Sequence, residues 1–171
     1  MHKKFLHIIG LAALLLASGN DAQAAQGTAT ATIANPAGVT VLSDLAFGVI
    51  IPATAVAGTV IIDPTSGARS FTGGVTLVNS TYHPALFAVV GPATKPYHVH
   101  LVNDTITITN SAGATMLVKN FSTNSELNGS KNYKFDAAGN ASFKVGGTLM
   151  VAAKQATGIY KGTFALNVNY N

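Results

Sequence analysis

The chain has no cysteine and no tryptophan, and charged residues make up only 9 % of its 171 positions. The absence of cysteine excludes disulfides, thiolate metal centres and lipid attachment to a cysteine after the apolar N-terminal run. Core packing and backbone hydrogen bonding must therefore hold the fold. Ordinary globular chains carry about 25 % charged residues; here Thr, Ala, Gly, Val and Asn stand in their place. A surface solvated by hydroxyls and amides suits a secreted protein that packs against copies of itself. Catalytic signatures are missing as well. There is no Gly-x-Ser-x-Gly, no His-Glu-x-x-His and no Gly-rich phosphate loop, so the chain reads as a non-enzyme without a cofactor.

Long apolar runs are also scarce. Ile8 to Ala17 is one, preceded by Lys3 and Lys4 and followed by the small-residue site Ala22-Gln23-Ala24. That order is a secretory signal, predicted to occupy residues 1–24 and to be cleaved after Ala24. The run is shorter than the roughly 20 residues a membrane span needs, and no second one follows. The mature chain, residues 25–171, is predicted to be a single domain with no transmembrane segment. Without Lys3, Lys4 and Asp21, the ten basic and six acidic residues fall to eight and five. The basic residues are scattered and have no aromatics interleaved, which argues against nucleic-acid binding.

What remains is β-pattern. Helical spacing is absent after the signal, whereas short runs rich in Val, Ile and Thr are divided by Gly, Pro, Asn, Asp and Ser. Strands are expected near Thr28–Ile33, Val39–Leu42, Leu45–Ile51, Thr59–Ile62, Ser70–Phe71, Val75–Val78 and Phe87–Val90. Others fall at Tyr97–Leu101, Thr105–Thr109, Thr115–Phe121 and Ala141–Val151, while Tyr133 and Phe135 lead into a turn at Asp136–Asn140. Gly73-Gly74 reads as a hairpin tip or a bulge, and Ser122–Lys131 as a loop. A closing strand is expected from about Gly158. About ten short strands in one domain mean an antiparallel β-sandwich.

Few residues suggest chemistry. His98 and His100 share one face of a strand, but two imidazoles fall short of the three or four ligands of a zinc site, so no metal is assigned. The mature carboxylates are Asp44, Asp63, Asp104, Glu126 and Asp136. Asp63, Asp104 and Asp136 fall at turns or strand ends, where Asp bonds to local backbone. Whether any two pair in space is invisible in sequence. Five Asn-x-Ser/Thr triplets, at Asn79, Asn103, Asn120, Asn128 and Asn140, are expected by chance in so Asn- and Thr-rich a chain.

The two ends of the mature chain stand out. Phe164, Leu166, Val168 and Tyr170 alternate on one strand face. A long apolar strand at a free terminus is an aggregation hazard unless it is covered or has a partner. Residues 25–35 place Ala29, Ala31 and Ile33 on one face and Thr28, Thr30 and Thr32 on the other. This segment is either the first strand of the sandwich or an arm donated to a neighbouring subunit.

The C-terminal segment resembles that of pilins assembled by the bacterial chaperone–usher pathway. Its next-to-last aromatic is Tyr170, its alternating series is Phe164, Leu166 and Val168, and its glycine fourteen positions from the end is Gly158. The resemblance implies an immunoglobulin-like, pilin-like sandwich in a Gram-negative bacterium. It also implies pairing of that strand with a periplasmic chaperone, delivery through an outer-membrane usher, and self-association with a donor arm at Ala29, Ala31 and Ile33. Gly158 would admit a close backbone at the start of the strand. The protein would pass through the periplasm to the cell surface or a fimbrium.

The mature chain also resembles a secreted bacterial family known as domain of unknown function 4402. The residues that carry this are Thr28–Ile33, Leu45-Ala46-Phe47-Gly48, and Ile62-Asp63-Pro64 with Gly67 and Arg69. Val145-Gly146-Gly147-Thr148-Leu149 and Gly158–Thr163 complete the set. Two functions are thus expected: a structural subunit of a surface fibre assembled by strand addition, or a monomeric adhesin or carbohydrate-binding sandwich. In the second, exposed aromatics such as Tyr82 or Tyr97 would contact the ligand.

Overall fold

Alternating apolar and polar residues place every second side chain on one face of a strand. The computed structural model describes residues 38–124 and 133–170, all within one compact unit, and shows strands without a helix among them. The first six are β1 (Gly38–Ser43), β2 (Ile50–Pro52), β3 (Gly58–Ile62), β4 (Arg69–Gly73), β5 (Val75–Leu77) and β6 (Ala85–Val90). They are followed by β7 (Tyr97–Leu101), β8 (Thr105–Thr109), β9 (Thr115–Thr123), β10 (Asn140–Val151) and β11 (Leu166–Tyr170). The signal, the arm residues Ala29, Ala31 and Ile33, and most of the Ser122–Lys131 loop lie outside the described residues.

The fold is an all-β antiparallel sandwich. One layer is a seven-stranded sheet in which β1-β6-β10-β3-β4 form a path and β8-β9 joins β10. The other layer holds the pairs β11-β7 and β2-β5. Between the layers pack Val60, Phe87, Val89, Tyr97, Val99, Val118, Phe143, Val145 and Leu149. Phe87 and Phe143 stack with ring centroids 5.1 Å apart.

Strand β10 is the axis of the large sheet. Val145 pairs with both Ala85 and Thr123, and Thr148 with both Lys119 and Ile61. Thus β9 runs along one edge, while β6 and then β3 succeed each other along the other. The exchange falls at Gly146-Gly147. A Cβ on Gly146 would lie 2.1 Å from the carbonyl oxygen of Ile62, which only glycine allows. Opposite Gly147, strand β9 carries a bulge at Asn120 and Phe121, with Asn120 at φ 50°.

Three local expectations change. Gly73-Gly74 is neither hairpin tip nor bulge: β4 before it pairs with β3, and β5 after it pairs with β2, so the chain changes layers there. The apolar run Leu45–Ile51 is not one strand, because Gly48 at φ +77° breaks it. It leaves a bridge at Ala46↔His83 and the short β2. The closing ladder starts at Leu166 rather than near Gly158; upstream of it the regular pairing is a single bridge, Thr109↔Lys161.

Candidate strand-acceptor site

Phe164, Leu166, Val168 and Tyr170 all turn inward, half-buried, while Asn167 and Asn169 face out. The Phe164 ring sits 5.1 Å from that of Phe121 and 6.0 Å, edge-on, from that of Phe87. Tyr170 meets Phe135 edge-on at 6.3 Å. The four predicted apolar positions thus share one row over the core.

The backbone of this strand has a direction of its own. Val102 N–H donates to the Ala165 carbonyl at 3.0 Å, next to the Leu166↔Leu101 pair. In an antiparallel ladder the pairing then alternates. Asn167 and Asn169 turn their N–H and C=O groups to β7, and Leu166 and Val168 turn theirs the other way. No strand among the described residues pairs with that second edge.

The other wall is β1, which has one partner among the described strands, β6. Val39 pairs with Val89 and Val41 with Phe87, so each pair shares a face. Val89 and Phe87 are 1 % and 6 % exposed, whereas Val39 and Val41 are 41 % and 56 % exposed. The inner face of β1 therefore lacks a cover that its neighbour has. Between the two walls opens a groove of about 1130 Å³. Its lips are Val41 with Asp44–Ile50 and Gln155–Phe164, and its floor includes Ile106, Ile108, Met116, Val118 and Phe121. That exceeds the roughly 300–1,000 Å³ typical of small-molecule pockets, and the lining ends at Phe164, two residues before β11 begins.

The second lip is held by Asn110, the buried polar side chain at the β8–β9 turn, 7 % exposed. Its Oδ1 accepts from Ala112 N–H at 3.1 Å and Ala114 N–H at 2.8 Å, closing the turn. Its Nδ2 donates to the Thr157 carbonyl at 3.1 Å. Gly158 follows at φ +144°, and a Cβ there would lie 2.9 Å from that Nδ2. The close approach at Gly158 is therefore made by the Asn110 side chain and not by the backbone expected there. Gln155 and Tyr160 brace the same lip, with Nε2 donating to the Tyr160 hydroxyl at 2.9 Å. Nothing in the sequence pattern marked Asn110; an Asn followed by Ser-Ala-Gly reads only as a turn.

His98 and His100 lie on the exposed face of β7 opposite Asn169 and Asn167. No group of three or more metal-ligating side chains occurs among the described residues. Asp63 Oδ1 accepts from Thr65 N–H, Ser66 N–H and Ser66 Oγ at 2.7–2.9 Å. These bonds, first that from Ser66 N–H, hold its carboxyl below the usual range. Asp136 likewise accepts from Ala138 and Asn140 N–H at 2.8 Å. Both serve their own turns, as the sequence suggested. Tyr97 is 3 % exposed, and burial raises its phenol above the usual range; it offers no platform to a ligand. Tyr82 is exposed, but its ring covers the Arg69 guanidinium at 4.4 Å.

The geometry defines a β-sandwich whose last described strand has one edge unpaired among the described residues. The family described as Domain of unknown function (DUF4402) matches residues 38–170, and the chain belongs to it. The Thr28–Ile33 alternation lies outside that match. No curated protein and no solved structure matches the chain. No helix among the described residues is long and apolar enough to cross a membrane.

Proposed function

We infer that the protein is a non-catalytic structural subunit of a cell-surface fibre, exported through the periplasm, that takes a β-strand from a second copy into its groove. The observation that carries this reading is the pairing of two features: a strand edge at Leu166 and Val168 with no partner among the described strands, and a groove that ends at Phe164, on the same inward row, and reaches Val41 on the exposed inner face of β1. An added strand gives each outward backbone group a partner and covers the groove. Main-chain hydrogen bonds supply affinity, and alternate side chains set the register. The occupant is the Ala25–Asn35 arm of a neighbouring subunit, which would lay Ala29, Ala31 and Ile33 into the groove. Before assembly, a chaperone strand would occupy the same edge and an usher would accept the complex, within an immunoglobulin-like fold.

The test is deletion of Ala25–Asn35 followed by return of the arm as a peptide. The full chain should form polymers, and the truncated one should be monomeric, less stable, and restored by the peptide. A truncated protein that is stable, monomeric and indifferent to the peptide, beside a full chain that never polymerises, would sink the reading. Full-length Ile33→Asp gives the same answer without truncation, since a charge cannot enter an apolar groove without cost. The adhesin reading has less support: Tyr97 is buried and the ring of Tyr82 is engaged by Arg69.

A further inference from the structure

Two of the sequence blocks that carry the family resemblance, Leu45-Ala46-Phe47-Gly48 and Ile62-Asp63-Pro64 with Gly67 and Arg69, meet where Arg69 reaches Phe47 and Gly48 of the groove lip. Arg69, the only arginine of the chain, lies half-buried at the start of β4. Its Nη1 donates to the Phe47 carbonyl at 3.0 Å and its Nη2 to the Val78 carbonyl at 2.7 Å. Tyr82 covers its face at 4.4 Å. No carboxylate takes part in these contacts, so the fork is aimed at backbone alone. A planar fork with two parallel donors does this and an ammonium does not.

The lip is fastened at further points around that fork. Val49 N–H donates to Ser80 Oγ at 2.8 Å, and Val78 N–H donates to the Val49 carbonyl at 3.1 Å. Ala46 and His83 exchange backbone bonds at 2.9 and 3.0 Å. Gly48 fits because it has no side chain: a Cβ there would lie 2.4 Å from Arg69 Nη1 and 2.7 Å from Ser80 Oγ. The segment so held, Ala46–Val49, is part of the groove lip, yet it forms no ladder that would hold it alone.

We propose that Arg69 is the positioning residue of the groove. Its fork, braced by Tyr82 and Ser80, fixes the lip at Phe47–Val49 in the separation that admits an extended strand. The inference rests on the strand-acceptor reading. It adds that acceptance is set by a latch distant from the strand edge itself.

The experiment uses the full chain with Arg69→Met, Arg69→Lys and Ser80→Ala, read by hydrogen exchange and by polymer formation. In Arg69→Met, exchange protection at Ala46, Val49 and Val78 should fall about tenfold or more, while that at Val60 and Leu149 in the core stays within about twofold. Polymerisation should fall in parallel. Arg69→Lys, which keeps the charge but not the planar fork, should recover part of both, and Ser80→Ala, which removes the bonds to Val49 N–H and the Val78 carbonyl, should loosen Val49 most. Should Arg69→Met not fold, the Lys and Ser80 variants carry the comparison. Gly48→Ala adds a further check: its penalty should be smaller beside Arg69→Met than in the wild-type background, because the nearest clash is gone. A lip that loosens while polymerisation is unchanged overturns the proposal, as does a lip whose protection ignores all three substitutions. Failure of the strand-acceptor reading shows differently, as a wild-type chain that does not polymerise, and it overturns the positioning role with it.

Discussion

Asn110→Asp separates the two tasks of one buried side chain. The substitution keeps an oxygen for the amides of Ala112 and Ala114 and replaces the Nδ2 donor with a second oxygen facing the Thr157 carbonyl. At neutral pH one hydrogen bond worth about 1 kcal/mol is lost. A carboxylate oxygen is then buried against a carbonyl, at roughly 1–3 kcal/mol or more. The expected loss is about 2–4 kcal/mol. With a urea m-value of about 1–3 kcal/mol/M, the midpoint should drop by on the order of 1–2 M. Protonation restores a donor at the same place. The new carboxyl must therefore have a folded pKa above its unfolded value of about 3.9. The penalty is then absent below the unfolded pKa, grows as pH rises through it, and is complete above the folded pKa. Urea titrations of variant and wild type between about pH 3 and 8 should show the two curves converging in acid. Asn110→Ala, which cannot regain a donor, should stay about 2–4 kcal/mol below wild type throughout. A penalty for Asn110→Asp that is flat with pH, or none at neutral pH, would refute the idea that this bond anchors the groove lip.

Other substitutions probe the rest of the frame. Phe164→Ala should cost about 2–3 kcal/mol in chemical denaturation, half the usual buried-Phe value plus its ring contacts with Phe87 and Phe121; a loss below about 1 kcal/mol would mean that the ring does not pack as described. Gly146→Ala places a methyl on the Ile62 carbonyl and should abolish the cooperative transition or lower it by about 4 kcal/mol, seen as lost near-ultraviolet dichroism. Asp63→Asn should flatten the acid limb of stability. The carboxyl of Asp63 is depressed, so its contribution is present above the unfolded pKa and lost as pH falls through the folded one; an unchanged limb would contradict this.

The strands were the legible part of the sequence, because alternation alone decides them. Tyr97–Leu101 and Thr105–Thr109 occur as β7 and β8 with the expected inward residues. The inward row Phe164, Leu166, Val168, Tyr170 was legible for the same reason. Glycines were harder, since their roles depend on what approaches them. Gly158 is shaped by Asn110, Gly48 by Arg69 and Gly146 by Ile62, each a contact between segments far apart in the chain. The groove itself was invisible in the sequence: a strand pattern shows which face is apolar, not whether a neighbour covers it. Arg69 and Gly48 were recognisable as a shared pattern, but their meeting was not.

Strand β10 has a kinetic consequence. It closes three neighbours at once, and its register reaches back to Ile62 through Gly147 and to Ala85 through Val145. Until residue 151 has left the ribosome, β3, β6 and β9 have no common partner, and the edges that β10 covers stand open. Non-local pairing of this kind folds slowly, and open edges of nascent sheets are where chains stick to one another. The time between the emergence of β3 and that of β10 is therefore the interval in which the chain most needs shelter.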